Sequence, residues 1–238
     1  MKKVFNEEAH LSQMEATIGD LIEVAKKLGH PAPQQLQYLG TAVDNTAGGV
    51  VSAFNALSDS PKRLHFTHHN NWKSLMGSVH RNFFNSLMAC VEEGLKDWCS
   101  SNQMTVKPSK REQMLKLISK IEKTIPLTNR QKSKLLSFTG IIPSFMDYFE
   151  EATVKLNTGR RNHWRTWFQG LLIIRNVSSH SNRELTDNEI RTLELGGFKP
   201  LISGRIISSN TSAYRPTIDQ IIIFYDELLG YKADKVRN

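Results

Sequence analysis

The apolar run from Trp164 to Val177 constrains the fold of this chain more than any other stretch. Its pattern fits a helix, because a step of about 100° per residue brings every third or fourth residue onto one side. One stripe of that helix holds Trp164, Phe168, Leu171 and Arg175. Leu172 and Ile173 lie off this stripe, so the segment is apolar in nearly all directions. We expect a helix covered on most sides, either by a bundle core and a dimer partner or by the helices of one chain.

An arginine within an apolar stripe is unusual, because a buried charge is costly unless a partner compensates it. Five residues after Arg175 comes His180, whose side chain gains and loses a proton near neutral pH. On a straight helix the two side chains would lie about 140° apart and about 7.5 Å apart along the axis. They converge only if the helix ends or bends near Ser178–Ser179, or if two subunits bring two copies of the pair together.

Two interpretations of this pair are open. Cleavage of RNA without a metal needs a base for the ribose 2′-hydroxyl, an acid for the leaving 5′ oxygen and a cation for the charged phosphorane. His180 suits the role of acid or base, and the guanidinium of Arg175 suits the phosphate. In the alternative, Arg175 pairs with a buried carboxylate and His180 caps the C-terminal end of the helix.

Helical patterns separated by Pro and Gly extend over most of the remaining chain and predict an all-α fold. We expect a helical bundle over residues 61–197, preceded by a helical extension over residues 1–60. The extension is alternatively an arm that binds a partner. A small β-hairpin (198–217) and a C-terminal helix would complete the chain, packed on the bundle over residues 198–238. A long helix is predicted to begin a few residues after Pro61 and to carry an apolar stripe from Trp72 to Trp98. The other predicted helices span about residues 7–28, 109–123, 128–138, 145–156, 164–177, 187–195 and 218–229.

Three local signals make more specific predictions. Gly48–Gly49 falls within a weaker apolar pattern over residues 34–57 and argues against one unbroken helix there. Ser109 follows a proline and is placed to cap the next helix. The sequence Thr186-Asp187-Asn188-Glu189 is a capping box, and Gly196–Gly197 should end the helix that it starts.

The charge of the chain favours a polyanionic partner such as RNA. Lys and Arg exceed Asp and Glu by 31 to 23, which gives a net charge of +8 and a pI near 9.5. No apolar run reaches the ~20 residues that span a bilayer, and the start of the chain lacks the apolar core of a signal peptide, so no membrane association is expected. Cys90 and Cys99 would lie on opposite sides of one helix, which argues against a disulfide and for a cytoplasmic location.

Four histidines lie in or near the start of the long helix that carries the stripe from Trp72 to Trp98, namely His65, His68, His69 and His80. His65 and His69 have the i,i+4 spacing of a metal-binding pair, but no carboxylate or cysteine completes a ligand set. We predict neither a metal site nor a cofactor and interpret the group as a polar helix entrance. The chain also lacks a Gly-rich phosphate loop, a Gly-x-Ser-x-Gly elbow and a Cys-x-x-Cys pair.

The six residues Arg175-Asn176-Val177-Ser178-Ser179-His180 and their context resemble the signature of HEPN domains, many of which are metal-independent endoribonucleases. A long helix ending in Glu92–Glu93, further helices and an apolar helix leading into the motif match the family arrangement over about residues 66–195. The resemblance implies a bundle that dimerises so that two motifs face one cleft. It also implies products with 2′,3′-cyclic phosphate and 5′-hydroxyl ends.

By the same resemblance, Arg175 and His180 are the catalytic pair and Asn176 is a supporting polar group. Three further arginines precede the motif on its own helix, and we predict that they bind RNA phosphates: Arg160, Arg161 and Arg165. A second group of nine Lys and Arg lies within residues 107–134. A solvated helix face is the commoner fate of such a group, so it receives no assigned role.

Together these features predict a dimeric, metal-independent endoribonuclease of HEPN type. Family analogy alone suggests a toxin or an effector of phage defence, with an antitoxin or regulatory protein as a further partner. The alternative is a non-catalytic HEPN-like module in which Arg175 and His180 hold a dimer or a partner protein, or bind a nucleotide.

Overall fold

The computed structural model describes residues 7–29, 32–58, 65–137, 143–179, 183–208 and 211–230. Most of these residues are helical. The α-helices are α1 (Glu7–Lys27), α2 (Gln34–Ser58), α3 (His65–Ser101), α4 (Ser109–Glu122), α5 (Asn129–Ser137), α6 (Phe145–Ala152), α7 (Thr158–Ser179), α8 (Asp187–Leu195) and α9 (Tyr214–Leu229). An antiparallel hairpin of β1 (Ile202–Ser203) and β2 (Ile206–Ile207) lies between α8 and α9 in sequence. The predicted all-α fold with a small hairpin near its C-terminal end is confirmed.

The helix α2 runs unbroken through Gly48–Gly49, so the expectation of an interruption there is wrong. Both glycines are exposed, and a Cβ on either would meet no atom within 4 Å. Two glycines inside a helix cost roughly 1 kcal/mol each relative to alanine. On the packed side of α2, Leu39, Val43 and Val50 have no exposed surface. Their burial contributes about 1.5–3 kcal/mol per side chain, which outweighs the cost of the glycines.

The ends of two helices test the predicted caps. At α8 the capping box is confirmed, because Thr186 Oγ1 accepts from the Glu189 N–H (3.3 Å) while Glu189 Oε2 accepts from the Thr186 N–H (2.9 Å). The prediction that Ser109 caps α4 is wrong. Pro108 occupies the cap position, and Ser109 is the first helical residue. Its backbone N–H donates to Asp147 Oδ1 (3.2 Å), so this carboxylate satisfies one of the free donors at the start of the helix.

Packing divides the chain into two units. The first comprises residues 1–94 and 156–238, and the second comprises residues 95–155. Within the first unit, α1 packs on α2, α7 packs on α8, and α2 contacts α9. Within the second, α4 packs on α5. The sequence-based boundaries at residues 60 and 197 are a different division and stay a prediction. No helix among the described residues is long and apolar enough to cross a bilayer.

The core of the first unit includes an aromatic cluster between α7 and α9. The ring of Phe224 lies edge-on to Trp164 and Phe168, with centroid distances of 5.4 and 4.9 Å. The hydroxyl of Tyr225 on α9 donates to the backbone oxygen of Val91 on α3 (3.3 Å). The ring contacts pack one side of α7 against α9, and α7 carries the first part of the candidate motif.

Candidate functional site

The helix α7 contains the apolar run and begins six residues before it, at Thr158. Trp164, Phe168 and Leu171 have no exposed surface, as the apolar stripe predicts. On the outer side of the helix the cover is incomplete, because Asn176 is exposed and other side chains there are only half-buried or exposed. This outer face consists of Asn162, Gln169, Leu172, Ile173 and Asn176. Covering α7 on all sides therefore requires something beyond the described part of this chain.

Arg175 lies at the C-terminal end of the buried stripe and is half-buried. Neither an ion pair nor a hydrogen bond joins the side chain of Arg175 to any residue that the structure describes. The buried carboxylate that the alternative interpretation requires is therefore not found in that part of the chain. A guanidinium in this setting keeps its planar set of N–H donors for another group.

Ser178, one turn further along α7, is a buried polar residue that sequence reasoning passed over. Its side chain is 5% exposed, and its Oγ has no hydrogen-bond partner among the described residues. A serine inside a helix ordinarily bonds the carbonyl four residues earlier, and a buried hydroxyl without a partner is costly. Its position within the motif was the signal that could have singled it out. Two polar groups without partners, on Arg175 and Ser178, thus occur within one turn of α7.

His180 lies outside the described residues, so the predicted convergence of Arg175 and His180 stays a prediction. The chain is helical at Ser179 and is no longer helical at Arg183, where it approaches the capping box of α8. The described residues on both sides are thus compatible with a helix end close to Ser179, which is one of the two conditions for convergence.

The three arginines at the start of α7 are in different surroundings. Arg160 forms an ion pair with Glu227 of α9, in which Nε donates to Oε2 (3.1 Å), and its guanidinium lies 5.8 Å from the centre of the Trp164 ring. Arg165 donates to Asn162 Oδ1 (3.3 Å), and Arg161 is half-buried. An RNA phosphate would compete with Glu227 for Arg160, so the three cations are not equivalent candidates for RNA binding.

A cleft of about 420 Å³ opens beside the N-terminal half of α7. Its lining is mainly apolar and includes His163, Trp167, Phe198, Pro200, Leu201, Pro216 and Gln220. One wall forms because Gly197 has a φ of +84°, which lets the chain turn after α8 and bring Phe198 against α7. A Cβ on Gly170 would lie 2.6 Å from Phe198 Cδ2, so only glycine fits under that ring. Arg175 does not line this cleft.

His80 occupies the interior of the first unit, so the interpretation of this residue as part of a polar helix entrance is wrong. It is 2% exposed, and it contacts the rings of Phe84 and Tyr214 at centroid distances of 4.7 and 5.7 Å. Burial lowers the pKa of His80 to about 4. Among the described residues, no group of three or more His, Cys, Asp or Glu side chains could hold a metal ion, and Cys90 and Cys99 are free.

No protein-family model matches the chain, and no curated protein or solved structure matches it. The resemblance to HEPN domains therefore depends on the residues of the motif and on its helical context.

Proposed function

We propose that this chain is a metal-independent endoribonuclease of HEPN type. The observation that carries the proposal is the state of Arg175, which ends the buried stripe of α7 without a carboxylate partner in the described part of the chain. It stands five residues before His180 in an Arg-Asn-x-x-x-His sequence. A cation that no described group of the chain neutralises, next to a titratable imidazole in sequence, suits binding of a phosphate and transfer of a proton.

In this proposal His180 removes the proton from a ribose 2′-hydroxyl, and the 2′ oxygen attacks the adjacent phosphorus. The bond from phosphorus to the 5′ oxygen breaks, and that oxygen takes a proton from the His180 of a second subunit. Arg175 donates hydrogen bonds to the phosphoryl oxygens, which carry more negative charge in the transition state than in the substrate. The products carry a 2′,3′-cyclic phosphate and a 5′-hydroxyl, and Asn176 is a supporting polar group beside the arginine.

The outer face of α7 supports the dimer that this mechanism needs. Leu172 and Ile173 are half-buried there, beside the exposed Asn176. A second copy of the chain that packs on this face would cover both apolar side chains and bring two copies of the motif close to each other. Replacement of Ile173 by Asp should convert the dimer into a monomer in analytical ultracentrifugation, because a buried unpaired carboxylate is unfavourable. A wild-type protein that sediments as a monomer at micromolar concentration would contradict this part of the proposal.

The test of the reaction is incubation of the purified chain with end-labelled RNA in excess EDTA. We expect fragments whose 3′ ends are cyclic phosphates, recognised by their resistance to a phosphatase that removes terminal monophosphates. An RNA with 2′-deoxy sugars at the cleaved positions should resist, because it lacks the attacking oxygen. Cleavage that EDTA stops, or that leaves 3′-hydroxyl ends, would overturn the proposal. A toxic or defensive role would require in addition that expression arrests growth and that His180→Ala relieves it.

A second candidate function is a non-catalytic module that binds a nucleoside, and the cleft beside α7 favours it. Aromatic and proline side chains form its walls, while the amide of Gln220 offers a donor and an acceptor to the edge of a planar base. Among the described residues, no Lys or Arg lines the cleft, so it suits the base rather than the phosphates of a nucleotide. Calorimetric titration with the four ribonucleosides tests this candidate, and Gln220→Leu should weaken any binding while Gln169→Leu, on the outer face of α7, should not.

A further inference from the structure

The net charge of the protein is concentrated in one short stretch. Residues 107–134 contain nine Lys and Arg against two Glu, a net charge of +7, whereas the whole chain carries +8. This stretch comprises α4, the first two-thirds of α5 and the connections before each helix, all within the second unit. The motif of α7 belongs to the first unit, so the function proposed above does not account for this charge.

Three lysines of this stretch form a row along one side of α4, two within the helix and the third at its C-cap. Lys116, Lys120 and Lys123 are separated by four and three residues, which places them on one side of the helix at steps of about 6 and 4.5 Å along its axis. All three are exposed. Ile118, on the opposite side, is buried, and Met114 beside it is half-buried. We call the row of Lys116, Lys120 and Lys123 the basic ridge.

The side chain of Glu112, four residues before Lys116, lies outside the described part of the chain, whereas Glu122, Glu150 and Glu151 have other neighbours. Glu122 pairs with Lys132 of α5, and Glu150 and Glu151 line a separate hollow together with Lys107. Among the side chains that the structure describes, none forms an ion pair or a hydrogen bond with a lysine of the basic ridge. Like charges three and four residues apart on a helix repel one another. A row of cations without a partner among the described side chains is therefore complementary to a polyanion whose charges repeat along a line.

We infer that the basic ridge binds the phosphodiester backbone of a nucleic acid, without reading its sequence. Residues 107–134 contain no Phe, Tyr, Trp or His, so the stretch offers no aromatic ring for a base to stack on. Lysine binds phosphate as a point charge, and contacts of this kind give affinity that is independent of sequence. The assignment of the nucleic acid as RNA rests on the proposed function. The assignment of the phosphodiester backbone as the bound group does not.

The packing of α4 argues against a membrane surface as the partner. A helix that lies on a bilayer inserts its apolar side, and the apolar side of α4 is packed within its own unit around Ile118. The two exposed leucines of α4, Leu115 and Leu117, are 45% and 49% exposed, but they point about 200° apart and form no continuous apolar surface.

The experiment measures binding of the full chain to a labelled hairpin of 2′-O-methyl RNA, which has no free 2′-hydroxyl and cannot be cleaved by the proposed mechanism. Fluorescence anisotropy is recorded over a range of salt concentrations, with the same hairpin in DNA as a second probe. The variant Lys116→Gln/Lys120→Gln/Lys123→Gln is compared with Lys26→Gln/Lys155→Gln/Lys199→Gln, which removes the same charge from three exposed lysines elsewhere. Melting temperatures establish that both triple variants are folded.

We expect the ridge variant to bind at least roughly 10-fold more weakly than the control variant, with a salt dependence of log K that is flatter by about 2 to 3, as loss of about three phosphate contacts requires. The variant with three Lys→Arg changes should bind like the wild type. Similar binding of the DNA hairpin supports recognition of the shared phosphodiester backbone. Equal binding of the RNA hairpin by the ridge and control variants would overturn the inference. A ridge variant that no longer binds anionic phosphatidylserine vesicles but still binds nucleic acid like the wild type would also overturn it. Absence of RNA cleavage would contradict the proposed function, but it would not contradict binding of nucleic acid by the basic ridge.

Discussion

The imidazole of His80 stacks on the ring of Tyr214 at a centroid distance of 5.7 Å, and neither imidazole nitrogen nor the phenol hydroxyl has a hydrogen-bond partner among the described residues. Both side chains are buried, at 2% and 1% exposure. Burial disfavours the charged form of each group, which lowers the pKa of His80 to about 4 and raises the pKa of Tyr214. The helices α3 and α9 are thus joined by an aromatic contact whose polar atoms contribute little to stability.

This contact predicts a pH dependence of stability. In the folded chain His80 stays neutral down to a pKa of about 4, whereas in the unfolded chain it takes up a proton below about 6.5. The unfolded state therefore binds the extra proton, and the free energy of unfolding should fall by about 3 kcal/mol as the pH drops from 6.5 to 4. Urea denaturation at several pH values measures this fall.

The matched variant for this test is His80→Phe, which keeps an aromatic ring and removes the titratable group. It should be at least as stable as the wild type at pH 7, because it also removes two buried nitrogens without partners. It should lose most of the slope between pH 6.5 and 4. The pKa of Glu189 is lowered from 4.5 to about 2 mainly by the hydrogen bond from Arg183, so this group adds a smaller loss of stability that starts near pH 5 and persists in His80→Phe. An unchanged slope in His80→Phe would show that other groups cause the pH dependence.

Two glycines in helices should respond to alanine in opposite directions. Gly170 lies under the ring of Phe198, so Gly170→Ala forces that ring to move and should lower the free energy of unfolding by about 1–3 kcal/mol. Gly48 is exposed and has open space around it, so Gly48→Ala should raise the free energy of unfolding by about 0.5–1 kcal/mol. Chemical denaturation of both variants decides the matter. A Gly170→Ala protein as stable as the wild type would mean that Phe198 does not pack there.

Glu227 anchors the start of α7 to α9 through two different bonds. Its Oε2 accepts from the buried indole N–H of Trp164 (2.8 Å), and the carboxylate also pairs with the exposed Arg160. Glu227→Ala should cost about 1–3 kcal/mol, because it leaves the Trp164 N–H buried without a partner. Arg160→Ala should cost less than about 1 kcal/mol, as exposed ion pairs usually do. Equal losses in urea denaturation of the two variants would show that the ion pair, not the indole bond, provides the anchor.

Local signals in the sequence predict much of the fold because they act through neighbouring residues. The Thr186 capping box and the apolar run of α7 concern residues that are within a few positions of each other, and the structure confirms both. The prediction that Gly48–Gly49 interrupts the helix is wrong because helix propensity, which is local, is outweighed by packing of α2 on α1. The prediction that Ser109 caps α4 is wrong because Ser109 is the first helical residue, and its N–H donates to Asp147, which is 38 positions away in sequence.

The same limit applies to the candidate site. Helical spacing predicts the stripe that Arg175 follows, and the structure confirms that its apolar members are buried, whereas Arg175 itself is half-buried. The burial of His80 against Tyr214 depends on a helix more than 130 positions later, so no spacing within α3 could predict it. The cleft beside α7 likewise combines residues from three separate stretches. Contacts of that range require the fold itself.

The measurement that tests the central claim most directly is the single-turnover rate at which the chain cuts labelled RNA in excess EDTA. Wild type, His180→Ala and Arg175→Ala are compared, with Arg191→Ala, which removes an exposed arginine of α8, as the control. We predict that the wild type and the control cut at similar rates, and that both motif variants are at least ~100-fold slower while they keep the melting temperature and the oligomeric state of the wild type. A wild-type chain that leaves RNA intact, or a His180→Ala chain that cuts at the wild-type rate, would contradict the account.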